Sequence, residues 1–256
     1  MLNLLRSESY KLLRNRSLWL LAAVLAASGI AYVLMAYYDE SNGGGTLSAV
    51  SGLDLLAMAM GGNNYVIKIG LCVLAGFFIS SEYSAGTIKR GAASGYGRSR
   101  FIAAKLLVFI GGSALVSLIF PAVIFALGSA LMGVGELPGG ASAADYAWRS
   151  LLVTITLSAA FAAVTGAVAT ALTDSGKTIG ALFVFYFFAD GLYGMIGKFI
   201  PFVETMYRHS IFHLINTYAD PAMGSAQLAQ SIYVPLLVAA AFVGIGIAVF
   251  ERKEIR

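Results

Sequence analysis

Six apolar stretches, each long enough to cross a bilayer, fill most of this 256-residue chain. They run over residues 17–38, 62–81, 106–134, 150–173, 178–197 and 231–250. A helix rises ~1.5 Å per residue, so about 20 apolar residues cross a hydrocarbon core of ~30 Å. Four of the stretches carry no charge; 62–81 holds only Lys68 and 178–197 only Asp190. A soluble chain of this size has no interior large enough to hide so much apolar sequence. The pattern therefore predicts an all-α integral membrane protein with six transmembrane helices, built as a single transmembrane domain over residues 1–256.

Composition narrows the function classes. Hydrophobic residues make up 59% of the chain and charged residues 12%, against about 25% charged in soluble domains. The net charge of +4 does not mark a nucleic-acid binder, because the basic residues flank apolar spans instead of lining one soluble face. The single Cys72 cannot form an internal disulfide, and with so few ligands no metal site is expected. The first apolar stretch is too long for a cleavable leader and is expected to be retained.

Lysine and arginine give the orientation. Arg6, Lys11, Arg14 and Arg16 precede the first span; Lys89, Arg90, Arg98, Arg100 and Lys105 follow the second. Lys177 lies between spans four and five, and Arg252, Lys253 and Arg256 follow the sixth. Only Lys68, Arg149, Lys198 and Arg208 fall on the other side. The positive-inside rule puts the rich side, and both termini, in the cytoplasm. On the outer side, residues 39–61 read as a Gly/Ser/Asn-rich loop. Residues 198–230 are too aromatic for a plain loop, with Pro201 and Pro221 as breaks; they either lie in the interface or re-enter the membrane.

Residues 1–16 form a separate element. Leu2, Leu5, Leu12 and Leu13 share a helical side, with Arg6, Lys11 and Arg14 elsewhere. They read as a basic amphipathic helix lying on the cytoplasmic leaflet, or as a charged flank that only sets topology.

The most specific segment is SSEYSAGTIKRGAASGYGRSRFIAAKLL, residues 80–107. Glu82 follows the second span, then Gly86-Thr87, then Lys89-Arg90. Arg98 and Lys105 are seven apart on one face of the helix that opens the third span. Glu82 and Thr87 are placed to cap or pin a short helix, and Gly95 and Gly97 to allow a sharp return. A cytoplasmic loop so long, with this order of charges, reads as a docking element.

This pattern of E-x-x-x-G-T, a basic pair, then Gly-x-x-Arg and a lysine seven residues on resembles the first cytoplasmic loop of the ABC-transporter type-2 permeases. The run from Glu8 to Trp19 and the basic ending FERKEIR are similar to the same family. The resemblance implies an N-terminal elbow helix and a coupling helix between helices 2 and 3 that rests on a partner ATPase. Carried over, Glu82, Gly86, Thr87, Lys89, Arg90, Arg98 and Lys105 form or brace that contact. Asp174 and Lys177, in the 173–178 turn, give a second one. The region from Asp190 to Pro221 matches half-helices that dip back from the outer face. The resemblance further implies two ABC ATPase subunits holding ATP and Mg, with no cofactor in this chain. It also implies a second permease copy or homologous permease, surrounding membrane lipids, and a bacterial cytoplasmic membrane. The cargo it points to is amphipathic, such as a peptide antibiotic, lipid-like compound or drug, as in antibiotic resistance or immunity.

Three other signals compete with this reading. Residues 173–178, TDSGKT, end like a phosphate-binding loop, but Ala171 stands where that motif needs its first glycine, and the string joins two spans. Hydrolysis must therefore come from a partner chain. Lys68 and Asp190 are intramembrane charges, which are costly and point to function. They line the pathway or a gate, with Lys68 reaching outward to the interface, or they serve a proton- or ion-coupled secondary carrier. His209 and His213 have i, i+4 spacing but lack a third metal ligand and read as part of an aromatic belt.

Overall fold

The computed structural model describes residues 1–41, 51–88, 96–135, 142–218, 220 and 223–253, apart from the side chain of Asp190. Among them there is no strand. The helices are α1 (Leu2–Leu13), α2 (Arg16–Ser41), α3 (Gly52–Ala75), α4 (Ser81–Ser84), α5 (Arg98–Ser117) and α6 (Ile119–Met132). They continue with α7 (Ala143–Leu172), α8 (Ser175–Gly197), α9 (Pro201–Arg208), α10 (Ile211–Thr217) and α11 (Ser225–Arg252). A π-helical turn, Gly76–Ser80, joins α3 to α4. Among the described residues, six runs are long and apolar enough to cross a membrane: Arg16–Ser41, Gly52–Ser84, Arg98–Met132, Ala143–Leu172, Ser175–Gly197 and Ser225–Arg252.

Short polar residues start these helices. Ser51, Ser142, Asp174 and Ser210 each accept a bond from the backbone N–H three residues on, which satisfies one orphan donor of the first turn. The start of α3 receives more help. Gly52 N and Leu53 N donate to the carbonyls of Gly133 and Val134, at 2.8 and 3.2 Å. Gly133 and Gly135 hold positive φ, +80° and +73°, to present that loop. Helix α3 thus begins at Gly52, well inside the stretch 39–61 that reads as a loop. The third span is broken at Leu118, three residues before Pro121, whose ring and missing N–H disrupt the preceding turn.

Helix α7 is the centre, in contact with α3, α5, α8, α10 and α11. Its small residues admit close neighbours: a Cβ on Gly166 would meet Leu106 Cδ2 at 2.8 Å, and one on Gly246 of α11 would sit 2.9 Å from Leu106 and 3.5 Å from Ala167. Close backbone approach is how helices associate where water supplies no driving force. The outward faces of α2, α8 and α11 remain exposed and apolar, with Leu20, Phe187, Phe188, Met195 and Leu237 among them. A surface of that kind is soluble only in hydrocarbon, and helices are one of the two structures that satisfy every backbone group there. This is a multi-pass helical membrane protein.

Beyond the fifth span, α9 and α10 fold back against the bundle. Ile211, Phe212, Leu214 and Ile215 of α10 are buried, packed on α3, α7 and α8. Tyr218 anchors the end of α10: Asn63 Nδ2 donates to its hydroxyl at 3.1 Å, and the hydroxyl donates to Met60 O at 3.2 Å. Asn64 Nδ2 donates to Asn216 Oδ1 beside them. Replacing Tyr218 with Phe strands the Asn63 amide N–H in a buried site, worth about 1–3 kcal/mol. We expect Y218F to lower the thermal midpoint in detergent and to speed amide exchange in 201–218 relative to α7.

Candidate functional site

At the end of the bundle that carries the N-terminus, four ionisable side chains from three helices meet. Lys105 of α5 is fully buried, and its Nζ donates to Glu8 Oε2 of α1 at 2.6 Å. The same Nζ lies 2.9 Å from Glu82 Oε2 of α4, close enough for an ion pair. Lys11, one turn beyond Glu8, reaches Glu8 Oε1 at 2.6 Å and Glu82 Oε1 at 3.5 Å. Two carboxylates and two ammonium groups therefore balance. Aromatic faces close the cluster: the Lys105 ammonium lies 4.7 Å from the Phe78 ring centre and 6.0 Å from that of Phe101.

The sequence builds this locally. On α1, Leu4, Glu8 and Leu12 recur every four residues and form the buried face. Leu12 nests against α5 where Gly112 leaves room; a Cβ there would stand 2.3 Å from Leu12 Cδ2. Glu8 is thus carried into the apolar seam. Between α3 and α4 the π turn frees the Phe77 carbonyl, which accepts from Asn15 Nδ2 at 3.2 Å and Ser81 Oγ at 2.6 Å. Asn15 is the joint between α1 and α2, so that joint is tied to the turn from which Glu82 emerges. Single-turn π segments of this kind often mark functional sites.

Burial alone would pull the Lys11 pKa down, but the bond to Glu8 and the charge of Glu82 outweigh it and hold it above the ordinary 10.5. A raised lysine contributes fully below its unfolded value and loses that contribution as pH climbs through the folded one. The docking of α1 is therefore expected to be insensitive to pH near neutrality and to weaken only above about 10.4, read as faster tryptic cleavage at Arg6 and Arg14 after correction for protease activity.

The other loop residues take separate places. Gly86 adopts φ +67° and ends α4, and the Thr87 hydroxyl donates to the Glu82 carbonyl at 3.2 Å. Thr87 thus pins the turn, while the Glu82 side chain serves the ion cluster and not a cap. Thr87 and Ile88 are helical; Lys89 and Arg90, with Gly95, lie outside the described residues. Gly97 precedes α5 at φ −56°, open to any residue, so its backbone does not require glycine. Arg98 does not join Lys105. Its Nη2 donates to Lys253 O at 2.7 Å and its guanidinium covers Phe250 at 5.6 Å. Lys253 Nζ in turn donates to the carbonyls of Thr170 and Ala171, at 2.9 and 2.6 Å, closing the end of α7.

The second expected contact is a tight corner. Thr173 takes φ +58° and Asp174 Oδ1 accepts from Lys177 N at 2.9 Å; Asp174 and Lys177 are exposed. This corner is bound to the π turn, because Ser80 Oγ and Thr178 Oγ1 are 2.8 Å apart and Ser80 also donates to Ala169 O at 3.2 Å.

Lys68 corrects one expectation. It does not reach outward: it is buried, with Nζ 5.6 Å from the Phe161 ring centre and 5.4 Å from that of Phe212. The reason is α10, which brings Phe212 over it. The Asp190 side chain lies outside the described residues. His209 Nδ1 is 2.9 Å from Thr205 O, and the His213 ring packs on Tyr207 at 5.4 Å. No group of three or more metal-ligating side chains gathers among the described residues.

Glu8 and Lys11 are the members of the cluster that sequence reasoning left unassigned. The available signal was Glu8 itself: it is the one acidic residue before the first span, and it sits between Leu4 and Leu12 on the apolar side. Placed there, a carboxylate needs a cation, and Lys105, set in apolar sequence, needs an anion.

Six helices long and apolar enough to cross a membrane, short helices folded back at one end and a charge-locked loop root at the other make up a polytopic membrane domain. The family model for ABC-2 family transporter proteins matches residues 4–190, and the chain belongs to that family. The match ends within α8, so α9, α10 and α11 lie beyond it. No curated protein matches the chain. The chain is thus an ABC-type permease, a membrane component of a class that works with ABC ATPases.

Proposed function

We propose that this chain is the permease of an ATP-binding-cassette exporter in a bacterial cytoplasmic membrane, with both termini cytoplasmic. Two ATPase subunits bind ATP and Mg and close on each other. Their motion enters the permease through residues 82–105, with the corner at Asp174 and Lys177 as a second point of contact. A second copy of the chain, or a homologous permease, completes the pathway. The cargo is amphipathic, of the peptide-antibiotic, lipid-like or drug kind, because the helices offer few polar groups to a hydrophilic solute.

The observation that carries this reading is the Glu8–Lys11–Glu82–Lys105 cluster. It ties the root of the loop to α1 and α5 at once, so a displacement of the loop is delivered to whole membrane helices as a rigid-body shift. A secondary carrier working through Lys68 and Asp190 has less support, since Lys68 is packed between two aromatic rings and family membership points to ATP.

The test is purification of the tagged chain in mild detergent, with identification of co-eluting proteins and assay of ATP hydrolysis. The proposal expects an ABC ATPase that is lost when exposed Lys177 is changed to Glu together with Asp174 to Lys. A folded chain that elutes without any ATPase would overturn it.

A further inference from the structure

An apolar groove of about 640 Å³ lies where α1 and α2 meet α5 and α6. Leu5, Leu13, Trp19, Leu107, Gly111 and Leu115 are among its walls, and Ser9 is a polar residue at its edge. Trp19 is held in place by a bond from its Nε1 to Leu13 O, at 2.7 Å. The size falls in the range of small-molecule sites, about 300–1,000 Å³. Gly111 contributes only space: a Cβ there would meet nothing within 4 Å.

The charge around this groove is one-sided. Arg6 adjoins Leu5 and lies one turn from Ser9; Arg16 opens α2 one turn before Trp19, and both are exposed. The one acidic residue of α1, Glu8, is buried and consumed by Lys105 and Lys11. No acidic residue occurs in α5 or α6.

An apolar slot with an indole in its wall and exposed arginines within a turn of its lining residues fits a molecule with a hydrocarbon tail and an anionic head. We propose that the groove holds one acyl chain of an anionic phospholipid from the cytoplasmic leaflet, with Arg6 and Arg16 on its phosphate. The leaflet assignment rests on the orientation given by the basic loops; the lipid assignment does not depend on which ATPase or cargo the permease uses. Occupancy would make a bound lipid part of the joint between α1, α2 and α5, where the ion cluster also ties α1 to α5.

Native mass spectrometry of the full chain, exchanged into detergent with equimolar phosphatidylglycerol and phosphatidylcholine, tests this. Wild type is expected to retain phosphatidylglycerol preferentially. Gly111→Leu, whose Cβ has open space around it and whose side chain intrudes on the groove, is expected to lose that retained lipid, while Gly244→Leu, on α11 with equally open surroundings at Cβ, keeps it. Arg6→Gln and Arg16→Gln are each expected to weaken the preference roughly fivefold. Equal retention of both lipids by wild type, or unchanged phosphatidylglycerol on G111L, would overturn the proposal. So would G111L splitting a dimer with its lipid count unaltered, since the groove would then seat a second copy of the chain.

Discussion

Changing Lys105 to Met removes the cation between two carboxylates and is expected to be the most damaging single substitution in the chain. Lys105 is fully buried and Glu8 nearly so. A buried ion pair adds little net stability compared with apolar residues, but taking away one partner leaves a buried charge uncompensated, at about 3–5 kcal/mol. Lys11 cannot make good the loss alone, because it already bonds Glu8 and stands 3.5 Å from Glu82. Set against a total stability of about 5–15 kcal/mol, that is enough to undock α1. K105M should therefore show a lowered thermal midpoint and rapid tryptic cleavage after Arg6 and Arg14. The double variant E8Q/K105M removes both charges and should lose clearly less than the sum of the single changes. Additive losses would mean that the two groups do not act on each other.

Gly76→Val comes second. This glycine opens the π turn, and a Cβ on it would lie 2.5 and 2.7 Å from Cγ1 and Cδ1 of Ile179 and 3.2 Å from the Ser175 carbonyl. Overpacking of that kind costs about 1–3 kcal/mol or more. The strain falls on the contact between the turn that launches Glu82 and the first turn of α8, so it should separate the loop root from the corner at Asp174. The expected readouts are a lower midpoint and loss of protection in residues 76–84 and 175–180 by hydrogen exchange. Ile179→Ala in the same chain should restore part of the stability and not all of it, because the Ser175 carbonyl remains. Full tolerance of valine at 76 would show that the joint is loose.

The crossing helices were legible because length and missing charge are enough to define them. Their ends were not. Gly52 starts α3 through a cap at Ser51 and donors satisfied by Gly133 and Val134, partners 81 residues away in sequence that no local pattern announces. The break at Leu118 could have been read from Pro121. Half of the ion cluster was legible: Glu82 and Lys105 stood out as charges in a loop with an ordered pattern. That they meet, and that Glu8 and Lys11 complete them, depends on the N-terminal helix folding back onto α5. Lys68 was misread for the same reason in reverse, since α10 closes over it from more than a hundred residues downstream. In each case sequence marked a group that needs a partner, and only the tertiary fold supplied it.

On the proposed function, the face bearing residues 82–105 and the 173–178 corner receives an ATPase. A photo-crosslinking amino acid placed in turn at exposed Tyr96, Lys177 and Lys198 tests it directly in cells. Adducts with an ABC ATPase at 96 and 177, and none at 198, are the predicted result. An ATPase adduct at 198, or none at 96 and 177 while the ATPase still co-purifies, would contradict the account.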